Sequence, residues 1–145
     1  MNIFMTSFCP HEAARNLDDK RVVKMVLESA QILSTILGGP YKPTHRNHPC
    51  TLWAGTSKSN ARWLLRHMVY LCREYTSRYG RIHKCESLIA GFRVGIHTLS
   101  GRGPTQPVNC TPYKEIDDVC LAYQMCLNDK WDTDKRTPTW YGEYR

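Results

Sequence analysis

The stretch from residue 19 to residue 37 constrains this chain more than any other. Asp18 and Asp19 are good amino-terminal caps and Gly38-Gly39-Pro40 is a strong stop, so the pattern between them predicts one long helix. Turned through about 100° per residue, Val22, Val23, Met25, Val26, Leu27, Ala30, Ile32, Leu33, Ile36 and Leu37 cover roughly 220° of its circumference. A surface helix needs a much narrower apolar arc, so this helix is expected at the centre of the fold. What remains is a narrow polar stripe of Lys20, Arg21, Lys24, Glu28, Gln31 and Thr35, spaced three or four residues apart so that the side chains converge. Two readings of the stripe are open: a solvated edge carrying a Lys24 to Glu28 pair, or a row of groups facing a ligand.

The remaining elements are also helical in pattern. Pro10 can open a short helix at its first position. Residues 52–79 read as helix broken near 55–59 by a new cap, with Trp63, Leu64, Met68, Leu71, Cys72 and Tyr75 in phase and Gly80 ending it. A further helix is expected over about 85–98, weakened by Gly91 and Gly95, and a last one over 114–127 with Ile116, Val119, Cys120, Tyr123 and Leu127 inward. Residues 100–112, rich in Gly and Pro, read as a loop. With no repeat, no low-complexity segment and no dividing linker, the expectation is an all-α fold: one compact domain over residues 1–145, a bundle of about five helices with long loops, and a tail over 130–145 packed on the body.

The formal charge of +7 is distributed along the chain, so the folded surface should attract polyanions. Seven cysteines, an odd number without the regular spacing of a disulfide framework, point to free thiols in a reducing compartment. No leader pattern and no membrane-spanning run is apparent, which leads to an expected location in the cytoplasm, with no membrane partner and an undetermined oligomeric state.

Three groups of residues can carry chemistry. The loop Thr44-His45-Arg46-Asn47-His48-Pro49-Cys50 can use His45 and His48 for phosphate contact or proton transfer, or simply hold itself together by hydrogen bonds. A metal reading through His45, His48 and Cys50 lacks a closed four-ligand pattern and would borrow a ligand such as His83 or Cys85; the expectation is no metal and no cofactor. The second group, Tyr75, Arg78, Tyr79, Arg81, His83 and Lys84, interleaves rings with cations, which suits phosphate contact and base stacking, or equally amphipathic packing. The third is the aromatic and basic tail from Lys135 to Arg145. Trp53, Asn60 and Trp63 line the same cavity or serve as core and cap residues.

The tail Arg136-Thr137-Pro138-Thr139-Trp140-Tyr141, with Tyr144, resembles the aromatic end of the small phage pyrimidine-dimer DNA glycosylases of the endonuclease V type. Asn2-Ile3-Phe4, Asp19-Lys20-Arg21-Val22-Val23-Lys24-Met25, Glu28-Ser29-Ala30-Gln31, His45-Arg46-Asn47-His48-Pro49-Cys50 and Glu74-Tyr75-Thr76-Ser77-Arg78-Tyr79-Gly80 resemble a wider group of phage and bacterial proteins related to that enzyme. The resemblance implies an amino-terminal amine, that of Met1, or of Asn2 if Met1 is removed, attacking a sugar carbon to give an imine. A carboxylate on the first long helix assists. Glu28 fits that role, because Asp18 and Asp19 already act as caps, with Lys24 keeping it ionised. Trp140 and Tyr141 would line a base pocket. The catalytic set expected is therefore Met1, Lys24, Glu28 and His48, with Lys20, Gln31, His45, Asn47, Trp53, Asn60, Arg78, Tyr79, His83, Lys84, Trp140 and Tyr141 contacting ligand. The expected function is a base-excision enzyme, glycosylase or lyase, acting on a damaged or modified base in DNA within a bacterium or an infected bacterial host. The alternatives are a phage protein that binds or processes nucleotides, and a DNA-binding accessory protein without catalysis.

Overall fold

A computed structural model describes residues 1–140. Six α-helices follow one another: α1 (Pro10–Arg15), α2 (Asp19–Leu37), α3 (Pro49–Thr56), α4 (Lys58–Tyr79), α5 (Ile89–Ile96) and α6 (Val119–Thr133), with a 3₁₀ turn at Lys84–Leu88 leading into α5. No strand occurs among the described residues, so the fold is all-α as expected.

The central helix forms where its sequence predicts. The Asp18 side chain accepts from Arg21 N, and Gly38 closes the helix in the left-handed region at φ 86°. Val22, Val26, Ala30 and Leu33 are fully buried, and α2 packs against α3, α4 and α5. Its apolar arc is wide because neighbours cover it on several sides. Buried apolar residues of every helix, apart from Ala13 of α1 and Ala122 and Cys126 of α6, join one continuous cluster with Ile3, Phe4 and Met5.

The start of α3 and both ends of α6 differ from expectation for local reasons, whereas α3 and α4 part within the break expected near 55–59. Helix α3 starts at Pro49, earlier than residue 52, because His48 caps it through Nδ1, which accepts from Cys50 N at 3.1 Å, and Pro49 fits a first-turn position. Ser57, extended at φ −152°, separates α3 from α4 and caps the latter by accepting from Asn60 N. Helix α6 starts at Val119 rather than 114 because Asp118 accepts from Leu121 N at 3.1 Å, and it runs on past Leu127 to Thr133. Trp131 rewards that extension by donating to Asp18 Oδ1 at 2.8 Å.

The segment between α5 and α6 is a long loop, as expected, and it is fastened rather than loose. Lys58 N donates to Gly101 O at 2.7 Å, and Gly101 approaches α3 so closely that a Cβ would sit 2.1 Å from Thr56 O. Asn60 grips Thr105 twice, and Tyr123 Oη accepts from Cys110 N while donating to Val108 O at 2.9 Å.

Arg78 ties the opposite end together. Buried to 2 % exposure, it donates to Leu17 O at 2.6 Å and Arg15 O at 3.1 Å, and pairs with Asp19 at 3.2 Å and Glu74 at 3.6 Å. Replacing Arg78 by Met removes the charge while leaving two carboxylates and two carbonyls facing it. Urea unfolding should register a loss of about 3–5 kcal/mol.

His67 is fully buried, stacked on Trp63 at 5.1 Å, with Nδ1 donating to Pro10 O at 3.2 Å. Burial pulls its pKa down to about 4. The native imidazole therefore stays neutral while the unfolded one gains a proton below its ordinary value of 6.5. Stability is complete above that value and falls as the pH drops towards 4, by roughly 3 kcal/mol in all. Denaturant titrations across that window should show the decline, and His67→Gln should flatten it.

Candidate active site

The amino terminus is wound into the protein by its own second residue. Asn2 Oδ1 accepts from Ile3 N at 2.7 Å and Phe4 N at 2.9 Å. Phe4 takes a left-handed backbone at φ 51°, and its buried ring meets Tyr123 edge-on. The result is an amine turned onto the polar stripe of α2: Met1 N lies 3.5 Å from Glu28 Oε1, and the same oxygen accepts from Asn2 N at 3.2 Å. With the side chains 2 % and 13 % exposed, respectively, water screens this ion pair weakly.

The histidine loop is pinned to the same stripe. Thr35 Oγ1 donates towards Gln31 O and Thr44 O and accepts from Thr44 N at 3.1 Å, fastening the loop where it leaves α2. His45 adopts φ 49°, and its carbonyl accepts from His48 N at 3.0 Å, closing a tight turn. The two imidazoles stand 6.5 Å apart and nearly perpendicular. Burial holds the His48 pKa below its ordinary value, helped by the positive amino terminus and His45 and opposed by Glu28. Met1, Glu28 and His48 thus share one electrostatic neighbourhood. Gln31 is half-buried about a turn beyond Glu28, while His45 and Asn47 are exposed on the loop.

Beside this group a cleft of about 760 Å³ runs along α2, lined by Lys20, Val23, Lys24, Leu27, Tyr79, His83 and Lys84 and closed on its far side by Asp134 and residues 136–139. Its acids are already engaged. Asp18 and Asp134 both bind Arg21, and Asp19 binds Arg78 and accepts from Thr139 Oγ1 at 2.6 Å. Lys20, Lys24, Lys84 and Arg136 make no ion pair among the described residues, so the cleft presents uncompensated positive charge. Lys24 accordingly faces the cleft, and Glu28 takes the Met1 amine rather than Lys24 as its ionic partner. Tyr79 donates to Asp19 O at 3.0 Å and stacks on Tyr75, which sets its ring in the cleft wall. Desolvation, then the Asp19 charge, raises its pKa. His83 caps the 3₁₀ turn by accepting from Cys85 N, and burial lowers its pKa.

Several expected ligand contacts lie elsewhere. Arg78 is enclosed by the carbonyls and acids named above, so it is a clamp and offers no group to a phosphate. Trp53 and Asn60 are buried; Trp53 Nε1 donates to Thr105 O, and Asn60 Nδ2 to Trp53 O at 2.8 Å. Both secure the long loop. Trp140 does not reach Glu28: its Nε1 donates to Asn16 O at 3.2 Å and its ring meets Trp131 edge-on. The neighbouring residue, Thr139, is bound to Asp19, roughly 13 Å from Glu28 along the helix axis. Tyr141 lies outside the described residues.

The structure adds residues that the expected ligand-contacting set did not include. Arg136, Thr137 and Thr139 line the basic cleft, although the tail drew attention for its rings. Cys110 reaches the histidine loop across 60 positions, its Sγ 3.4 Å from Cys50 Sγ. No sequence spacing announces that contact. The Cys50 hydrogen bond draws the Cys110 pKa down, and the same bond with burial drives that of Cys50 up.

Comparison with curated proteins, and with solved structures, returned no match. The family described as pyrimidine dimer DNA glycosylase matches residues 1–87. That span holds the Met1 amine, Glu28, the histidine loop and helices α1 to α4, and stops short of the tail. With more than half its length matched, including both partners of the Met1–Glu28 ion pair, the chain belongs to the pyrimidine dimer DNA glycosylase family.

Proposed function

We propose that this protein is a damage-specific DNA glycosylase with abasic-site lyase activity, in which the Met1 amine is the nucleophile and Glu28 its carboxylate partner. The observation that carries this reading is the 3.5 Å approach of Met1 N to Glu28 Oε1. Glu28 accepts a proton from the ammonium group, and the freed lone pair forms a bond to the sugar C1′. The glycosidic bond breaks, and the base leaves with the bonding electrons and takes up a proton. Opening of the sugar ring gives a protonated imine, whose positive charge the carboxylate stabilises. Loss of a proton from C2′ then expels the 3′-phosphate, and water hydrolyses the imine to regenerate the amine. If Met1 is removed, the Asn2 nitrogen is already 3.2 Å from the same oxygen and can serve in its place.

The positive cleft supports duplex DNA as the substrate. Lys20, Lys24, Lys84 and Arg136 neutralise backbone phosphates, and Tyr79 and His83 offer ring faces alongside. The family match favours a pyrimidine dimer as the lesion. His48 feels the charge of the amine, with Gln31 a turn beyond Glu28 and His45 and Asn47 on the same loop as His48. In this reading residues 1–145 act as one domain in the cytoplasm, where the DNA of a bacterium or of an infecting phage is found. No helix among the described residues is long and apolar enough to cross a membrane.

Borohydride reduction during reaction with abasic or ultraviolet-irradiated duplex should leave the protein covalently attached to DNA through its first residue, located by peptide mass. An adduct on an internal lysine, or none, overturns the assignment, as does thermal stabilisation by mononucleotides that exceeds stabilisation by duplex. Glu28→Gln keeps a hydrogen-bond acceptor for Asn2 N, so its melting temperature should stay close to that of the parent while strand cleavage falls about 100-fold or more. Changing Lys20, Lys24 and Lys84 together to Ala should weaken binding to all sequences alike. It should also flatten the plot of log binding constant against log salt by about 3, close to one unit per lost phosphate contact.

A further inference from the structure

We propose that His48, Cys50 and Cys110 form a zinc site that anchors the long loop between α5 and α6 to the amino-terminal end of α3. One imidazole nitrogen and the two sulfurs lie within 4.8 Å of one another. Two of these donors come from the turn that opens α3, and the third from a loop distant in sequence. Imidazole and thiolate are the donors that zinc takes most readily, and three protein ligands leave a fourth tetrahedral position for water.

The separation of the sulfurs discriminates between the ways two cysteines can be used. Cys50 Sγ and Cys110 Sγ stand 3.4 Å apart. Two thiolates on one tetrahedral zinc, each about 2.3 Å from the metal, are about 3.8 Å apart, so the pair needs to open by about 0.4 Å. A disulfide at about 2.05 Å requires closure by about 1.3 Å. The smaller movement is the one towards the metal.

The surroundings hold the donors in register before any ion arrives. Cys50 is fully buried in the first turn of α3, so its position is fixed by the helix. Cys110 is held from the other side, because its backbone N–H donates to Tyr123 Oη, which in turn donates to Val108 O. His48 is tied at its backbone to His45 O, within the turn that Thr35 and Thr44 fasten to α2. Two thiolates balance a divalent ion, so the occupied site carries no net charge into the interior. Loops of this length without regular structure are usually either functional or disordered; a metal clip at Cys110 gives this one a further fixed point at the start of α3.

The test uses the whole chain, kept reduced and free of oxygen. Cobalt(II), standing in for zinc, should be taken up at one ion per chain, with thiolate-to-metal absorption in the near ultraviolet and the strong visible bands of tetrahedral cobalt. Zinc should displace it and raise the melting temperature, and a chelator should reverse the rise. Cys110→Ser, at a half-exposed position, should fold to the same helical content yet lose the absorption, and His48→Ala should weaken uptake at least 10-fold. Cys9→Ser, at an exposed position away from the site, should behave as the parent. No tetrahedral cobalt spectrum in the reduced parent, or an unchanged spectrum in Cys110→Ser, overturns the proposal. Isolation of a Cys50–Cys110 disulfide that on reduction still takes up no metal overturns it equally. The borohydride reaction reads the Met1 amine alone, so a metal-free chain that is trapped on DNA, or a metal-binding chain that is not, separates this inference from the proposed function.

Discussion

The Asp19 carboxylate is the point on which the molecule is assembled. It heads the central helix and pairs with Arg78 at the end of α4, while its other oxygen accepts from Thr139 in the tail. Arg78 then reaches Leu17 O and Arg15 O, carbonyls that the end of α1 leaves without partners. One buried guanidinium and one carboxylate therefore fix the angle between α2 and α4 and the seat of the tail. The basic cleft lies between these elements, so its shape depends on an ion pair whose carboxylate stands in its wall. Buried charges of this kind seldom add much stability, but they penalise any arrangement that leaves one of them alone.

The active-site reading rests on a division of labour along one helix face. Lys20 and Lys24 open onto the cleft, and Glu28, a turn further on, meets the amine. Positive charge that can hold a polyanion thus grades into a sheltered carboxylate that can handle a proton and a cation. A regular helix supplies this arrangement because residues four apart share a face. The amino terminus needs a special backbone to reach it, and the side chain of Asn2 provides one.

What the sequence disclosed followed from local rules. Asp18, Gly38, Ser57 and Gly80 mark helix ends through their own side chains or lack of one, and α2 was legible as central from its apolar arc. The polar stripe was legible too, although its two readings could be separated only by seeing that Glu28 faces Met1. Misplaced expectations came from residues whose partners are distant. Arg78 has the composition of a phosphate contact, and only the carbonyls of a helix some 60 residues earlier make it a clamp. Trp140 has the composition of a base pocket, yet Asn16 and Trp131 hold it at the other end of α2. Cys110 had no local signature, since its neighbour Cys50 is brought to it by the fold. The cap formed by His48 ahead of Pro49 is a local signal too, because a capping side chain followed by proline opens a helix at that proline.

Phe4 and His45 are the two non-glycine residues with left-handed backbones among the described residues. One belongs to the segment that aims the Met1 amine and the other to the turn that presents His48. Each such conformation costs on the order of 1 kcal/mol, and glycine would remove most of that. Left-handed backbone at non-glycine positions of the described chain is thus confined to two short segments, one bearing the Met1 amine and the other His48. This corner is therefore where the chain departs from its local preference in order to place an amine and an imidazole on either side of one carboxylate.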